Sequence, residues 1–179
     1  MKNKIFIAID TKSKKKAMSI INQSELNNFK IGYKFGLEFL NSKNGRNFIS
    51  KLRKKIIFID LKLHDIPNTM KSTIIALKDL KINYLTVHIS AGLKALKDVK
   101  KVSGKIKIVG VTTLTSLNSK DLKDIGHKKS LKDLVITQSK LAKKAKLDAI
   151  VCSPREIKYV KKIFKKEIIT PGIRISLKL

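Results

Sequence analysis

The sequence predicts an α/β fold: an incomplete (β/α)8 barrel of about seven βα units, with the eighth strand and helix missing. Three observations carry that expectation. Strand-like and helix-like segments alternate roughly every 25 residues, the strands are continuously apolar, and polar residues collect just after most of them. Apolar strands indicate a parallel sheet buried under helices, because a strand covered on both faces has no polar side to show. Polar strand ends indicate a site built by the loops at the C-terminal face of a barrel. No Gly-rich dinucleotide fingerprint argues for a doubly wound sheet instead. With 179 residues, 42% of them hydrophobic, the chain is long enough for one core, and a single domain over 1–179 is expected.

The elements follow in order. Lys4 to Asp10 (K-I-F-I-A-I-D) reads as a strand ending in a carboxylate. Residues 13–22 have helical character, with Ala17, Met18 and Ile21 on one face. Phe29 to Gly32 (F-K-I-G) is a short second strand with Lys30 at its centre or end. A helix is expected over Phe35, Leu37, Phe39 and Leu40, broken near Asn44-Gly45. The third strand starts at Ile56, and Asn68 to Leu80 is the helix behind it, with Asn68 or Thr69 as its cap. Asn83 to His88 is the fourth strand, followed by Ser90-Ala91-Gly92 and a helix ending near Val102. Lys105 to Thr112 is the fifth, trailing into Thr113-Leu114-Thr115-Ser116. A long helix spans Leu131 to Ala145, with Leu134, Val135, Leu141 and Ala142 at core spacing. Leu147 to Cys152 is the sixth strand, and Ser153-Pro154 opens a helix because proline suits its first turn. Glu167 to Thr170 is the seventh strand, running into Pro171-Gly172-Ile173-Arg174.

Composition excludes several classes. The formal net charge of +28 favours non-specific contact with polyanions. The cations are nearly all lysine and are spread over every expected helix, and no nucleic-acid motif spacing occurs, so no specific nucleic-acid partner is expected. No apolar run approaches the ~20 residues of a membrane span, and no signal-peptide core opens the chain. A soluble, cytoplasmic protein without membrane association is expected. Cys152 is the single cysteine, which excludes an internal disulfide; its apolar surroundings suit a buried, inert thiol. His64 and His88 lack the spacing of a metal motif, and no metal site is expected.

The chemistry concentrates in Ile57 to Thr69, I-F-I-D-L-K-L-H-D-I-P-N-T. In a strand, residues i and i+2 share a face, so Asp60 and Lys62 project together from its C-terminal end. Asp65 follows, and Ile66-Pro67 ends the extended segment. A bare D-x-K-x-x-D is equally a solvated strand end whose ions pair. The longer D-x-K-x-H-D-I-P-N-T is far more specific.

That string resembles the signature of the orotidine 5′-phosphate decarboxylase family. Further strand-end motifs extend the resemblance over nearly the whole chain: A-I-D at Asp10, K-I-G at Lys30, V-H-I-S-A-G at His88, V-T-T-L-T-S around Thr115, and T-P-G-I-R ending at Arg174. The resemblance implies a cofactor-independent decarboxylation of orotidine 5′-monophosphate to UMP and CO2 in pyrimidine biosynthesis. The implied charge network is Lys30, Asp60, Lys62 and Asp65. Lys62 would donate the proton to C6, Asp60 would lie near the departing carboxylate, and Lys30 would bridge Asp60 and the ribose hydroxyls. The stretch Asp60, Leu61, Lys62, Leu63, His64, Asp65, Ile66, Pro67, Asn68 and Thr69 would line the substrate. Asp10 would bind the ribose and Thr115 the pyrimidine ring, while Pro171 and Arg174 lie in the loop closing over it. In the family Asp65 and Thr69 reach the partner's site, which implies a homodimer. The phosphate-gripping residues that the family carries after strands 7 and 8 are not found here. A substrate lacking the phosphate is therefore expected to be handled almost as well as the phosphorylated one, and strands 1 and 7 are expected to be edges.

The physical logic needs no family. Loss of CO2 leaves negative charge on carbon, which a fixed ammonium both stabilises and protonates. An opposite charge ~4 Å away contributes about 4 kcal/mol at an effective dielectric near 20. Flanking carboxylates keep the lysine protonated against burial. Two rivals stand beside this reading. A 3-keto-gulonate 6-phosphate decarboxylase or hexulose-phosphate synthase shares D-x-K-x-x-D, uses Mg2+, and is not expected to carry I-P-N-T. A catalytically dead barrel remnant would bind a partner or polyanion with a steep salt dependence.

Overall fold

The computed structural model describes residues 4–24 and 29–172. Seven strands form one sheet: β1 (Lys4–Ala8), β2 (Lys30–Gly36), β3 (Ile56–Leu63), β4 (Tyr84–His88), β5 (Lys107–Val111), β6 (Ala149–Val151) and β7 (Glu167–Ile169). They lie side by side in chain order, and every neighbouring pair is parallel. Parallel neighbours need crossover connections, and the helices supply them: α1 (Lys14–Gln23), α2 (Leu37–Leu40), α3 (Gly45–Ser50), α4 (Pro67–Ala76), α5 (Gly92–Val102), α6 (Ser119–Asp124), α7 (Leu131–Lys144) and α8 (Ile157–Ile163). The architecture is the seven-unit partial barrel that the alternation predicts.

Strand parity splits the core in two. Tyr33 and Phe35 of β2, Ile57 and Ile59 of β3, and Leu85 and Val87 of β4 belong to the large cluster that includes the buried helix positions Ala17, Met70, Leu96 and Val135. The opposite faces of the strands form a smaller inner cluster in which Phe58, Tyr84, Val109 and Ala149 meet Phe6, Val151 and Ile169. The rings of Phe6, Phe58 and Tyr84 sit 5.0–5.6 Å apart, an aromatic plug inside the curled sheet. Only a glycine fits beside it on β2: a Cβ on Gly32 would stand 2.7 Å from the Phe6 ring.

Beneath the plug, four residues that open their strands close the floor. Lys4 of β1 hydrogen-bonds Tyr84 of β4 and pairs with Glu167 of β7 at 2.9 Å, while Lys107 of β5 meets Glu167 at 3.3 Å. Among the described residues β1 and β7 are the sheet's edges, and the Lys4–Glu167 pair spans the interior between them.

Three local expectations are corrected. β2 runs four residues past Gly32, through Tyr33-Lys34-Phe35-Gly36. The helix α4 begins at Pro67 with Ile66 in the capping position and no side-chain cap, so neither Asn68 nor Thr69 caps it. Proline is stable there because the first helical N–H has no intrahelical partner to lose. A short helix, α6, lies in the stretch between β5 and α7, opened by a capping box of Asn118 and Asp121.

Candidate active site

The C-terminal ends of the strands surround a cavity of about 330 Å3 directly above the aromatic plug, with Phe6 and Phe58 in its lining. Asp60 and Lys62 both enter it, as their i, i+2 spacing requires. The Lys62 ammonium donates to Asp60 Oδ2 at 3.0 Å, and a second ammonium, Lys34, lies 3.3 Å from the same oxygen. The Asp60 side chain is only 11% exposed. Burial alone would raise its pKa; the hydrogen bond from Lys62, the charges of Lys34 and Lys62, and a hydrogen bond from Thr86 outweigh burial and hold the carboxyl below its ordinary range. One carboxylate thus orders two ammonium groups at the mouth of an apolar hole.

The lysine partner differs from the sequence expectation. Lys30 opens β2 opposite Lys4, and it lines a basal hollow with Lys4, Tyr84 and Lys107. Parallel strands bring only their C-terminal residues to the upper rim, and Lys34 is the lysine that stands there. Lys34 replaces Lys30 in the charge network. The signal for it was present: Lys30, Gly32 and Lys34 share one parity, and Gly32 is crowded by the inward Phe6 ring, which marks that parity as the inner face.

The strand bearing Asp60 and Lys62 is irregular where it matters. Ile59 pairs with Leu85 and Leu63 with Val87, so four steps of β3 oppose two of β4. Lys62 has φ +49°, a left-handed backbone uncommon for a residue with a Cβ. Its N–H donates to Thr86 Oγ1 at 2.8 Å, and the same hydroxyl donates to Asp60 Oδ1 at 2.8 Å. On the far wall, the Thr113 N–H and hydroxyl both donate to Oε1 of the buried Gln138 of α7, at 2.9 and 3.2 Å. That contact anchors the loop bearing Thr115, which lines the cavity, as does Pro171.

Other expected residues lie elsewhere in the single chain. Leu61 and Leu63 pack against the outer core cluster, because they share the parity of Ile59. His64 is exposed, with its ring 5.4 Å from that of His88. Burial first, then the nearby charges of His64 and Lys62, lower the pKa of His88 against the opposing charge of Asp60. Asp65 is exposed, and its carboxylate accepts the N–H of Ile66 at 2.6 Å. Ile66 is 66% exposed, Asn68 and Thr69 are exposed, and Pro67 starts α4. Asp10 follows β1 as an exposed residue outside the cavity lining. Arg174 lies outside the described residues. Sequence reasoning missed Lys34, Thr86 and Thr113. Cys152 is buried in the cavity wall, with burial and then the charge of Glu156 pushing its thiol up to about 12.

The chain also matches known proteins over most of its length. Residues 3–178 match the family model described as orotidine 5′-phosphate decarboxylase / HUMPS family. The orotidine 5′-phosphate decarboxylase of Buchnera aphidicola subsp. Schizaphis graminum is 42% identical over 97% of this chain and 75% of the relative. That of Wolbachia pipientis subsp. Culex pipiens is 41% identical over 97% of this chain and 78% of the relative. Among solved structures, orotidine 5′-phosphate decarboxylase from Lactobacillus acidophilus superposes with a TM-score of 0.85 at 30% identity, covering 96% of this chain and 82% of that one. The Methanocaldococcus jannaschii enzyme complexed with the inhibitor BMP gives 0.79 at 26% identity, over 99% and 81%. A barrel rim carrying a lysine-flanked aspartate, matched over almost its full length at this identity, places the chain in the orotidine 5′-phosphate decarboxylase / HUMPS family.

Proposed function

We propose that this chain decarboxylates orotidine 5′-monophosphate to UMP and CO2, the step that completes pyrimidine nucleotide synthesis. The observation that carries the reading is the buried Asp60 carboxylate bridging two ammonium groups, 3.0 and 3.3 Å away, inside the rim cavity. As the C6–carboxylate bond breaks, CO2 departs and the electron pair stays on C6. Lys62 stabilises that charge and transfers a proton to it, and solvent returns the proton to the amine. Asp60 keeps the Lys62 ammonium charged and aimed. Lys34 takes the bridging place between Asp60 and the ribose, with Asp10 on the same sugar and Thr115 on the ring. The apolar floor of Phe6 and Phe58 keeps water from the developing carbanion, which strengthens each charge interaction.

Asp65 and Thr69 complete the site of a second copy in a homodimer. Their exposure on the single chain, beside the exposed Ile66, supports that role. No metal or organic cofactor takes part, and the enzyme works in the cytoplasm. Among the described residues no helix is long and apolar enough to cross a membrane.

The test is release of CO2 from orotidine 5′-monophosphate by the purified, EDTA-treated chain, beside 3-keto-gulonate 6-phosphate with and without Mg2+. Turnover of the nucleotide in EDTA is expected. Magnesium-dependent turnover of the sugar phosphate alone would overturn the assignment, and salt-sensitive RNA binding without turnover of either would identify a remnant.

A further inference from the structure

We propose that Thr86 is the positioning residue of this site, its hydroxyl fixing the Asp60 carboxylate and the Lys62 backbone in one relation. The inference rests on the decarboxylase reading for its kinetic consequence, while its geometry stands independently. Thr86 lies on β4, is 1% exposed, and belongs to the cavity wall. Its hydroxyl has one proton, donated to Asp60 Oδ1 at 2.8 Å, and it accepts the Lys62 N–H at 2.8 Å.

The bulge explains why a side chain is needed. Between Ile59 and Leu63 the β3–β4 ladder skips, so the Lys62 N–H loses a regular strand partner. A partly buried N–H left unpaired is costly. The left-handed backbone of Lys62, at φ +49°, adds a further penalty for a residue with a Cβ. Thr86 supplies the missing acceptor from the neighbouring strand. The same atom then occupies the Asp60 oxygen that the lysines do not, since Lys34 and Lys62 both address Oδ2. Both carboxylate oxygens are therefore committed, and the ring of contacts Thr86–Asp60–Lys62 closes on itself. A β-branched residue suits the place because its χ1 has few alternatives on a strand. Around Asp60 stand Lys34 from β2, Lys62 from β3, and Thr86 and His88 from β4.

The experiment compares the parent chain with Thr86→Val, which keeps shape and removes the hydroxyl, and Thr86→Ser, which keeps the hydroxyl. Thermal melts establish that each is folded. Two readouts follow: kcat and KM for orotidine 5′-monophosphate, and the titration of the Asp60 carboxyl by carbon-13 NMR. Thr86→Val is expected to lower kcat on the order of 100-fold, the scale of a small misplacement of a catalytic group. KM should change much less, and the Asp60 titration should move upward. Thr86→Ser should restore both to about parental values. A Thr86→Val chain with parental kcat and an unmoved Asp60 titration would overturn the proposal, as would equal losses in both variants. If the parent itself fails to turn over the nucleotide, the decarboxylase reading falls, and the Asp60 titration still decides the role of Thr86.

Discussion

Asp60 is the residue on which the site's charges converge, and its environment makes two predictions. The first concerns which lysine matters. Lys34→Ala should reduce kcat/KM by roughly 100-fold or more, as loss of a preorganised charge does, whereas Lys30→Ala at the basal end should stay within about threefold of the parent. Equal losses would contradict the reassignment. The second concerns acid. The Asp60 pKa is lowered from 3.8 in the folded state, so the carboxylate stabilises the fold above that ordinary value, and the contribution fades as pH falls through the lower folded value. The stability difference between the parent and Asp60→Asn, from urea melts between pH 6 and 3, should therefore shrink toward the acid end. At this scale the sequence was legible where charge interrupts an apolar strand, hence Asp60 and Lys62. It was illegible where identity depends on how far a strand continues. The second strand reads as ending at Gly32, yet it continues, with Tyr33 buried against the helices while Lys34 faces the interior. Thr86 carries no local mark, because its role arises from a bulge on the neighbouring strand.

The strands and helices were legible as a series because each crossover must bury an apolar face, which periodicity records. Their ends were less so. β2 and α4 differ from expectation at positions decided by packing across the sheet and by proline geometry rather than by local preference. Gly32 shows how tightly the elements are matched. Phe6 of β1 fills the space that a side chain on β2 would need, with an added Cβ only 2.7 Å from its ring. Gly32→Ala should destabilise the protein by about 1–3 kcal/mol, the usual cost of overpacking. Its thermal midpoint should fall by several degrees, at roughly 2–4 °C per kcal/mol for a chain of this size. An unchanged midpoint would show that the plug can shift. The loop before α7 is a second such match, since Gln138 reaches across to hold Thr113 and through it the Thr115 wall.

Across the whole molecule, the seven strands curl without a direct ladder between β1 and β7 among the described residues, and a partly exposed ionic floor joins those two edges instead. Burial would raise the pKa of Glu167, but the hydrogen bonds and charges of Lys4 and Lys107 lower it. Its contribution is accordingly present above the ordinary carboxylate range and lost as pH falls through the depressed value. Glu167→Gln should leave two ammonium groups without their carboxylate, lower the thermal midpoint at neutral pH, and flatten the acid limb of stability. An unchanged midpoint would mean that the aromatic plug alone holds the edges. This floor was not legible in sequence, because Lys4, Tyr84, Lys107 and Glu167 are far apart in the chain and meet only when the sheet closes. Under the proposed function, the whole fold serves to present Lys62 to a ring carbon above that plug. The measurement that tests this most directly is kcat/KM for orotidine 5′-monophosphate with the parent chain and Lys62→Ala under identical conditions. A loss of about 1,000-fold or more is the expected result, since the substitution removes both the charge and the proton. A Lys62→Ala chain within tenfold of an active parent would contradict the account.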